Sequence, residues 1–302
     1  MDVMHCMSVF RRVAEASSFS AVARETGQSQ STISKHIAAL EQRLGTKLLN
    51  RSTRQLSLTE AGAEYYHYCV RILNDFQEAE ASVGRGKILP TGTLRVSATA
   101  AFSRQFILPN LHDFLLRYPD IDIDLHLDDR YVDLVKDGVD LAVRIGPLAD
   151  SSLIARRIGG CPRVLVASPA YLRKRPAPRK PEQLQTHECL VYTNKKAPRE
   201  WFFNGIEGEQ SVHVDGRFRS SSTDSIADAT LAGLGISIMC EWHVRDYIGQ
   251  GKLRVLMPDY SPTPHKVHAV YAERRFVPQK VRRLIEFLQQ CYRSYDESVR
   301  ER

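Results

Sequence analysis

Between residues 20 and 44 the chain reads SAVARETGQSQSTISKHIAALEQRL. On a helical wheel Ser31, Lys35 and Gln42 share one side, with Thr32 and Ser34 on its flanks. Short hydroxyl, amide and ammonium groups in that arrangement can hydrogen-bond the edges of base pairs in a major groove and the phosphates beside it. Just downstream, KLLNRSTRQLSL (residues 47–58) reads as a strand, a basic turn and a second strand, with Arg51 and Arg54 at the tip. Cations there can straddle a phosphate or enter a minor groove while the helix occupies the major one. The alternative is an amphipathic helical hairpin whose polar face is simply solvated.

Other chemistry is poorly supported. Asp128, Asp129, His126 and His213 are the available acid–base groups, but no GxSxG, HExxH, P-loop or strand-borne GxGxxG accompanies them, so catalysis is not expected. Cys6, Cys69, Cys161, Cys189, Cys240 and Cys291 form no CxxC and have no histidine at ligand spacing, so neither a metal site nor a disulfide framework is expected. Buried reduced thiols are the expectation. A redox sensor would need an exposed, low-pKa thiol with a resolving partner.

The polar face needs elements to hold it. Gly27 breaks the stretch into two short helices, and Ser29 caps the second. Ile33, Ile37, Leu40 and Leu44 form its apolar stripe, and a helix over about residues 4–16 adds Met7, Phe10, Val13 and Ala14, enough to close a trihelical core. After the wing, Thr59 caps a long helix with Glu60 in its first turn, running to about residue 84 or 87. Along it Tyr65, Cys69, Ile72, Phe76, Ala79 and Val83 recur every 3.5 residues on average, the period of a dimerising seam, with intramolecular packing as the alternative. Gly84, Gly86, Pro90 and Gly92 then mark a linker.

From Thr93 the pattern is α/β. Strands at 94–98, 121–127, 141–145 and 164–167 alternate with helices near residues 106–115 and 131–137. Beyond Pro162 come helices near Tyr171 and Gln183, strands at 190–193 and 211–218, a helix at 224–232 and a strand at 236–239. A strand at 267–271 and a helix opened by Pro278, with Val281, Leu284, Ile285 and Leu288 on one face, end the chain. The expectation is a mostly parallel sheet with helices on both faces, in two lobes with a cleft between them. The basic run 173–181 reads as an extended surface loop, with a second nucleic-acid patch as the alternative. At 302 residues the chain suits two or three domains, and its net charge of +7 favours a polyanionic partner weakly, because basic residues are spread along it. No apolar run approaches the roughly 20 residues that span a bilayer, and MDVMHCMSVFRR lacks a signal-peptide core, so a cytoplasmic location is expected.

The sequence resembles the LysR-type transcriptional regulators over essentially its whole length. Carrying the resemblance are Ser18-Phe19-Ser20-Ala21-Val22-Ala23, Ser29-Gln30-Ser31-Thr32-Ile33-Ser34-Lys35, Leu40-Glu41, Leu44-Gly45, Leu48-Leu49-Asn50-Arg51 and Leu58-Thr59-Glu60-Ala61-Gly62. In the C-terminal half they are Gly92-Thr93-Leu94-Arg95-Val96, residues 140–146 (DLAVRIG), Ser168-Pro169-Ala170-Tyr171-Leu172 and Ala232-Gly233-Leu234-Gly235-Ile236. The resemblance implies a winged helix-turn-helix over residues 1–58, a dimerising linker helix over 59–87, and a periplasmic-binding-protein-like α/β effector domain over 91–302. That domain would comprise one subdomain of 91–162 with 266–302 and another of 163–265, with crossings near 161–163 and 264–267. It also implies a regulator that binds promoter double-stranded DNA as a dimer or dimer of dimers, bends it, responds to a small molecule and works with RNA polymerase. By position, Gln30, Ser31, Thr32, Ser34, Lys35, Arg51, Thr53 and Arg54 would contact DNA. Departures are Gln28, where the family usually has an aliphatic residue, and Cys240-Glu241, where related members often have a proline.

A ligand in the cleft would meet Thr99, Ala100 and Ala101 at one helix start and Ser221, Ser222 and Thr223 at another. Two helix N-termini facing one cleft suit an organic anion. Arg144 could add charge, with a structural salt bridge as the alternative, and Ile145, Gly146, Tyr192, Thr193 and Trp201 would form the walls. Thr99 and Ser222 are expected to touch the ligand.

Overall fold

The computed structural model describes residues 2–51, 56–83, 90–130, 133–134, 136–148, 153–194, 197–206, 208–272 and 277–300, without the side chains of 51, 74–75, 77–83 and 298–300. The chain divides into two compact units, 1–92 with 136–138, and 93–135 with 139–302. No described helix is long and apolar enough to cross a membrane.

In the first unit each helix begins where a side chain can satisfy an orphan amide. Asp2 caps α1 (Val3–Ala16), Ser18 caps α2 (Phe19–Thr26) and Ser29 caps α3 (Gln30–Leu44), each oxygen accepting from the amide three residues on. Gly27, at φ +65°, takes the left-handed conformation that ends α2 and sends its successor back across. Met7, Phe10, Val13, Val22, Ile33, Ile37 and Leu40 close the core. Leu44 does not join it: the last turn of α3 overhangs, leaving this side chain 39% exposed. The wing is an antiparallel pair, β1 (Leu49–Arg51) and β2 (Leu56–Leu58). Thr53 and Arg54 lie outside the described residues.

Helix α4 (Glu60–Val83) starts where the Thr59 hydroxyl accepts from the Gly62 amide at 2.9 Å. Its N-terminal half corrects the seam. Cys69 is fully buried with Leu73 in the core of this unit, and Tyr65 packs against the same core, so the 3.5-residue repeat serves an intramolecular face over those turns. The core therefore runs past the boundary at residue 58. Further along, Tyr68, Ile72 and Phe76 are 43%, 40% and 47% exposed. Ala79 and Val83 lie on the helix, but their side chains are outside the described set.

The second unit opens with β3 (Gly92–Ala98) and α5 (Ala100–Phe102), which continues through a π turn (Ser103–Ile107) into α6 (Leu108–Arg117). Then come β4 (Ile121–Leu127), β5 (Leu141–Ile145) and β6 (Leu153–Cys161). Across Pro162 follow β7 (Arg163–Ala167), α7 (Pro169–Leu172), a 3₁₀ turn (Pro181–Thr186) and β8 (Val191–Tyr192). The hairpin β9 (Glu200–Gly205) and β10 (Gly208–His213) leads to β11 (Arg219–Ser220), α8 (Thr223–Leu231), β12 (Ile236–Cys240) and α9 (Glu241–Gly249). Last are β13 (Arg254–Val255), β14 (Ser261–Pro262), β15 (His265–Ala272) and α10 (Gln279–Arg300).

One sheet has the order β4-β3-β5-β15-β6, with α6 and α10 supplying Phe114, Val281, Leu284 and Leu288 to its core. The other lobe holds three small sheets, β12-β7-β13, β10-β9-β14 and β11-β8. The expected mostly parallel sheet is not found. β3 and β5 are parallel, but β15 runs antiparallel to β5 and β6, and β7 is antiparallel to both its neighbours. The reason is topological: β6 carries the chain out of the first lobe and β15 brings it back, so the two must run opposite ways. The expected helix near 131–137 falls partly outside the described residues, and Leu134, Lys136 and Asp137 lie in turns instead. The expected strand over 211–218 is instead the β9–β10 hairpin followed by β11, and β6 and α9 lie where no element was expected.

Candidate nucleic-acid interface and ligand junction

The Ser29 hydroxyl accepts from the Thr32 amide at 3.1 Å and lies 2.8 Å from the hydroxyls of both Ser31 and Thr32. One cap thus fixes the helix start and orients two neighbouring polar side chains. Gln30, Ser31, Lys35 and Gln42 are exposed, while Thr32 and Ser34 are half-buried on the flanks. Gln28 sits in the turn with its amide oxygen buried and unbonded among the described residues, the cost of an amide where an aliphatic side chain would pack.

Three contacts hold this face. Arg12 on α1 reaches Glu25 on α2 at 2.8 Å and Glu15 at 2.6 Å, which raises the guanidinium pKa and lowers that of Glu25. Glu41, 3% exposed at the end of α3, accepts from Lys47 Nζ at 2.9 Å and from the amides of Leu48 and Leu49 at 3.0 and 3.3 Å. Although burial opposes ionisation, these three donors hold its carboxyl below the usual range, fastening α3 to the wing strand β1. Gly62 completes the set, because a Cβ there would stand 1.9 Å from the Leu48 carbonyl oxygen. Arg51 ends β1.

In the second unit the ligand candidates converge around a group not expected there. Asp129, in the loop after β4, places Oδ2 2.7 Å from the Thr223 amide and 3.1 Å from the Thr223 hydroxyl, at the start of α8. Its backbone oxygen accepts from Tyr192 Oη at 3.3 Å and Asn194 Nδ2 at 3.0 Å, and Asn194 also reaches the Ser221 oxygen at 3.0 Å. Burial pushes the Asp129 carboxyl up, against the pull of Thr223's two donors. The amide end expected to receive an anion therefore holds the chain's own carboxylate. A second bridge runs from Arg104 on the π turn to Asp224, which His243 on α9 also contacts at 3.0 Å, and the His243 contact leads in lowering the Asp224 pKa.

Thr99 and Ser222 act as helix caps, accepting from the Phe102 amide at 3.2 Å and the Ser225 amide at 3.3 Å. Ala100 is half-buried and Ala101 buried beside Thr99. Arg144 is buried at the end of β5, and its charge helps lower the Asp128 pKa, behind the leading bond from the Arg130 amide. Ile145 precedes Gly146, whose amide donates to the Lys266 carbonyl at 3.0 Å, tying the end of β5 to the returning strand. Thr193 is exposed, and its amide donates to the Ser220 oxygen. Trp201 is a correction. Strand alternation turns it with Phe203 into the second lobe's core beside Val212, 5% exposed, so it forms no wall of the junction. The sequence marks Asp129 only as an acid–base group and gives no sign of Asn194, Arg104 or His243, because their contacts join residues that are distant in sequence.

Comparison with known proteins places both units. Residues 4–63 match the family described as "Bacterial regulatory helix-turn-helix protein, lysR family" and residues 88–292 the "LysR substrate binding domain". The chain belongs to the LysR family of transcriptional regulators. It is 35% identical to the transcriptional regulator DmlR of Escherichia coli K12 over 293 residues, 97% of this chain and 95% of that one. The full-length Vibrio cholerae virulence activator AphB superposes with a TM-score of 0.57 at 32% identity, covering 94% of this chain and 97% of AphB. CrgA from Neisseria meningitidis gives 0.60 at 33% identity, covering 95% and 97%. As a LysR regulator, the chain combines a helix-turn-helix for promoter DNA with a domain for small-molecule effectors. Among the described residues no group of three His, Cys, Asp or Glu side chains is placed to hold a metal ion.

Proposed function

We propose that this LysR regulator is a cytoplasmic homodimer, paired further into a tetramer, that bends its promoter DNA and changes the bend when a small organic anion enters the junction of the two lobes. The observation that carries the DNA half is the exposed first turn of α3: Gln30, Ser31 and Lys35 stand free of the core while Ser29 and Glu41 lock the helix beneath them. Gln30, Ser31, Thr32, Ser34 and Lys35 read base edges and adjoining phosphates, and Arg51, Thr53 and Arg54 hold the flanking backbone, in a complex that engages RNA polymerase. The exposed Tyr68, Ile72 and Phe76 of α4 support the pairing. The effector competes with Asp129 for the α8 amides, where Thr99 and Ser222 stand ready to turn their hydroxyls to it.

An electrophoretic mobility shift on the protein's own upstream region tests this. Arg51→Ala is expected to weaken binding to all DNA about equally and to reduce the salt dependence, while Thr32→Ala and Ser34→Ala change sequence preference. Absence of retardation at low salt, or equal losses on operator and random DNA for all three variants, overturns the reading.

A further inference from the structure

The seam between the lobes holds a second cluster that neither the DNA face nor the Asp129 contact uses. β6 ends at Cys161, Pro162 crosses, β7 begins at Arg163, and the antiparallel register sets Cys240, last residue of β12, opposite Arg163. Cys161 is fully buried and Cys240 partly so, both packed in the first lobe's core. The Cys161 thiol donates to the Pro162 oxygen at 3.8 Å, and the Glu241 amide donates to that same oxygen at 2.9 Å, so the residue after Cys240 is fastened to the residue after Cys161. Trp242, the second residue of α9, buries its indole N–H beside Cys161 in the same core.

Arg163 makes this pair unusual. Its Nε donates to the Thr263 oxygen at 2.7 Å, and no carboxylate pairs with it among the described residues. Burial draws its pKa down, while the only acidic groups that raise it are the thiols of Cys240 and Cys161. A desolvated cation gains from facing an anion, and among the described residues a thiolate is the anion these neighbours can offer it. A cation beside a partly exposed thiol is also what nucleophilic sulfur requires.

We propose that Cys240 and Cys161 are a redox pair in which a hydroperoxide oxidises Cys240 and Cys161 closes a disulfide across the lobe junction. The Cys240 thiolate attacks the peroxide, breaking the O–O bond to give Cys240 sulfenic acid and hydroxide (an alcohol after proton uptake, from an organic peroxide). Cys161 then attacks the sulfenic sulfur, forming S–S and expelling hydroxide, which takes up a proton as water. In sum two thiols lose two electrons and hydrogen peroxide becomes two waters. Cys161 suits the resolving role because the neighbouring Cys240 and burial raise its pKa and hold its proton until the partner sulfur is oxidised. The bond joins the last residue of the first lobe's outgoing strand to the last of the second lobe's β12, so it restrains rotation at the crossing.

The reduced full-length protein, treated with excess hydrogen peroxide, alkylated under denaturing conditions and digested without reductant, is expected to lose two of its six thiols. One linked pair should form between the tryptic peptide 158–163 and the peptide that contains Cys240, and dithiothreitol should restore both thiols. In Cys161→Ser a dimedone adduct is expected on Cys240. In Cys240→Ser, Cys161 is expected to stay reduced. Peptide mapping of the unmodified sequence decides even if the serine variants fold poorly. A sulfinic acid on Cys240 without the crosslink, a crosslink to another cysteine, or retention of both thiols while the partly exposed Cys291 reacts overturns the proposal.

Discussion

Truncating Glu41 removes the acceptor that joins the recognition helix to the wing. In Glu41→Ala the amides of Leu48 and Leu49, on residues 0% and 4% exposed, lose their side-chain acceptor. A buried donor left unsatisfied costs ~1–3 kcal/mol. The Lys47 bond adds little, because its ammonium is 76% exposed and screened by solvent. The expected loss is about 2–4 kcal/mol, confined to the first unit, and at ~1.4 kcal/mol per tenfold it accelerates native-state hydrogen exchange of the α3 amides roughly 30- to 1,000-fold. The amides of β3, β5 and β15 serve as the internal control. Glu41→Gln keeps an acceptor and should lose about half as much. The folded carboxyl is held below its ordinary value, so its contribution is complete above the unfolded pKa of about 4.3 and disappears as pH falls through the folded one. α3 protection in the unmodified protein should therefore drop below about pH 4.3 more steeply than in Glu41→Gln. An Ala variant whose α3 exchange changes less than about threefold, near 0.7 kcal/mol, would refute the clamp.

Gly62→Ala drives a Cβ into the Leu48 carbonyl and should lower the first unit's melting temperature, at a cost of ~1–3 kcal/mol or more, whereas Gly249→Ala meets open space and serves as a neutral control. Equal melting temperatures for the two would show that α4 can shift without penalty. Charge at the exposed α4 positions, in Ile72→Glu with Phe76→Glu, is expected to convert dimers to monomers in sedimentation velocity without loss of helix by circular dichroism. Persistence of the dimer would move the interface elsewhere. Asp129→Ala should speed exchange of the Thr223 amide about tenfold, and acetate, unlike chloride at equal ionic strength, should reverse this by filling the vacated place. Indifference to acetate would mean that the α8 amides do not select a carboxylate.

Local signals made the first unit legible. Ser29, Thr59 and Gly27 are punctuation whose effect is complete within a turn or two, and Ile33, Ile37 and Leu40 repeat at a helical period. One pattern can serve two partners. The stripe continues to Leu44 although the core beneath it ends, and a 3.5-residue repeat looks alike whether Cys69 faces another chain or its own domain. In the second unit, exposed Arg156 and Arg157 and the following glycines diluted the strand signal of β6, and Trp201 shows that an aromatic residue in a strand does not declare which face it serves. The Asp129–Thr223 bond joins residues 94 apart in the chain. No local pattern reports such a contact, because folding topology alone brings the two together.

Burial of Cys69 and Leu73 beneath the trihelical core also sets the terms on which this module can be exchanged. A chimera cut after the wing would deprive the DNA-reading part of two apolar plugs and open the core they fill. A graft onto a foreign sensor has to carry its own helix through residue 73. The portable segment is therefore longer than the one that touches DNA, and in such hybrids the splice point falls inside a single continuous helix.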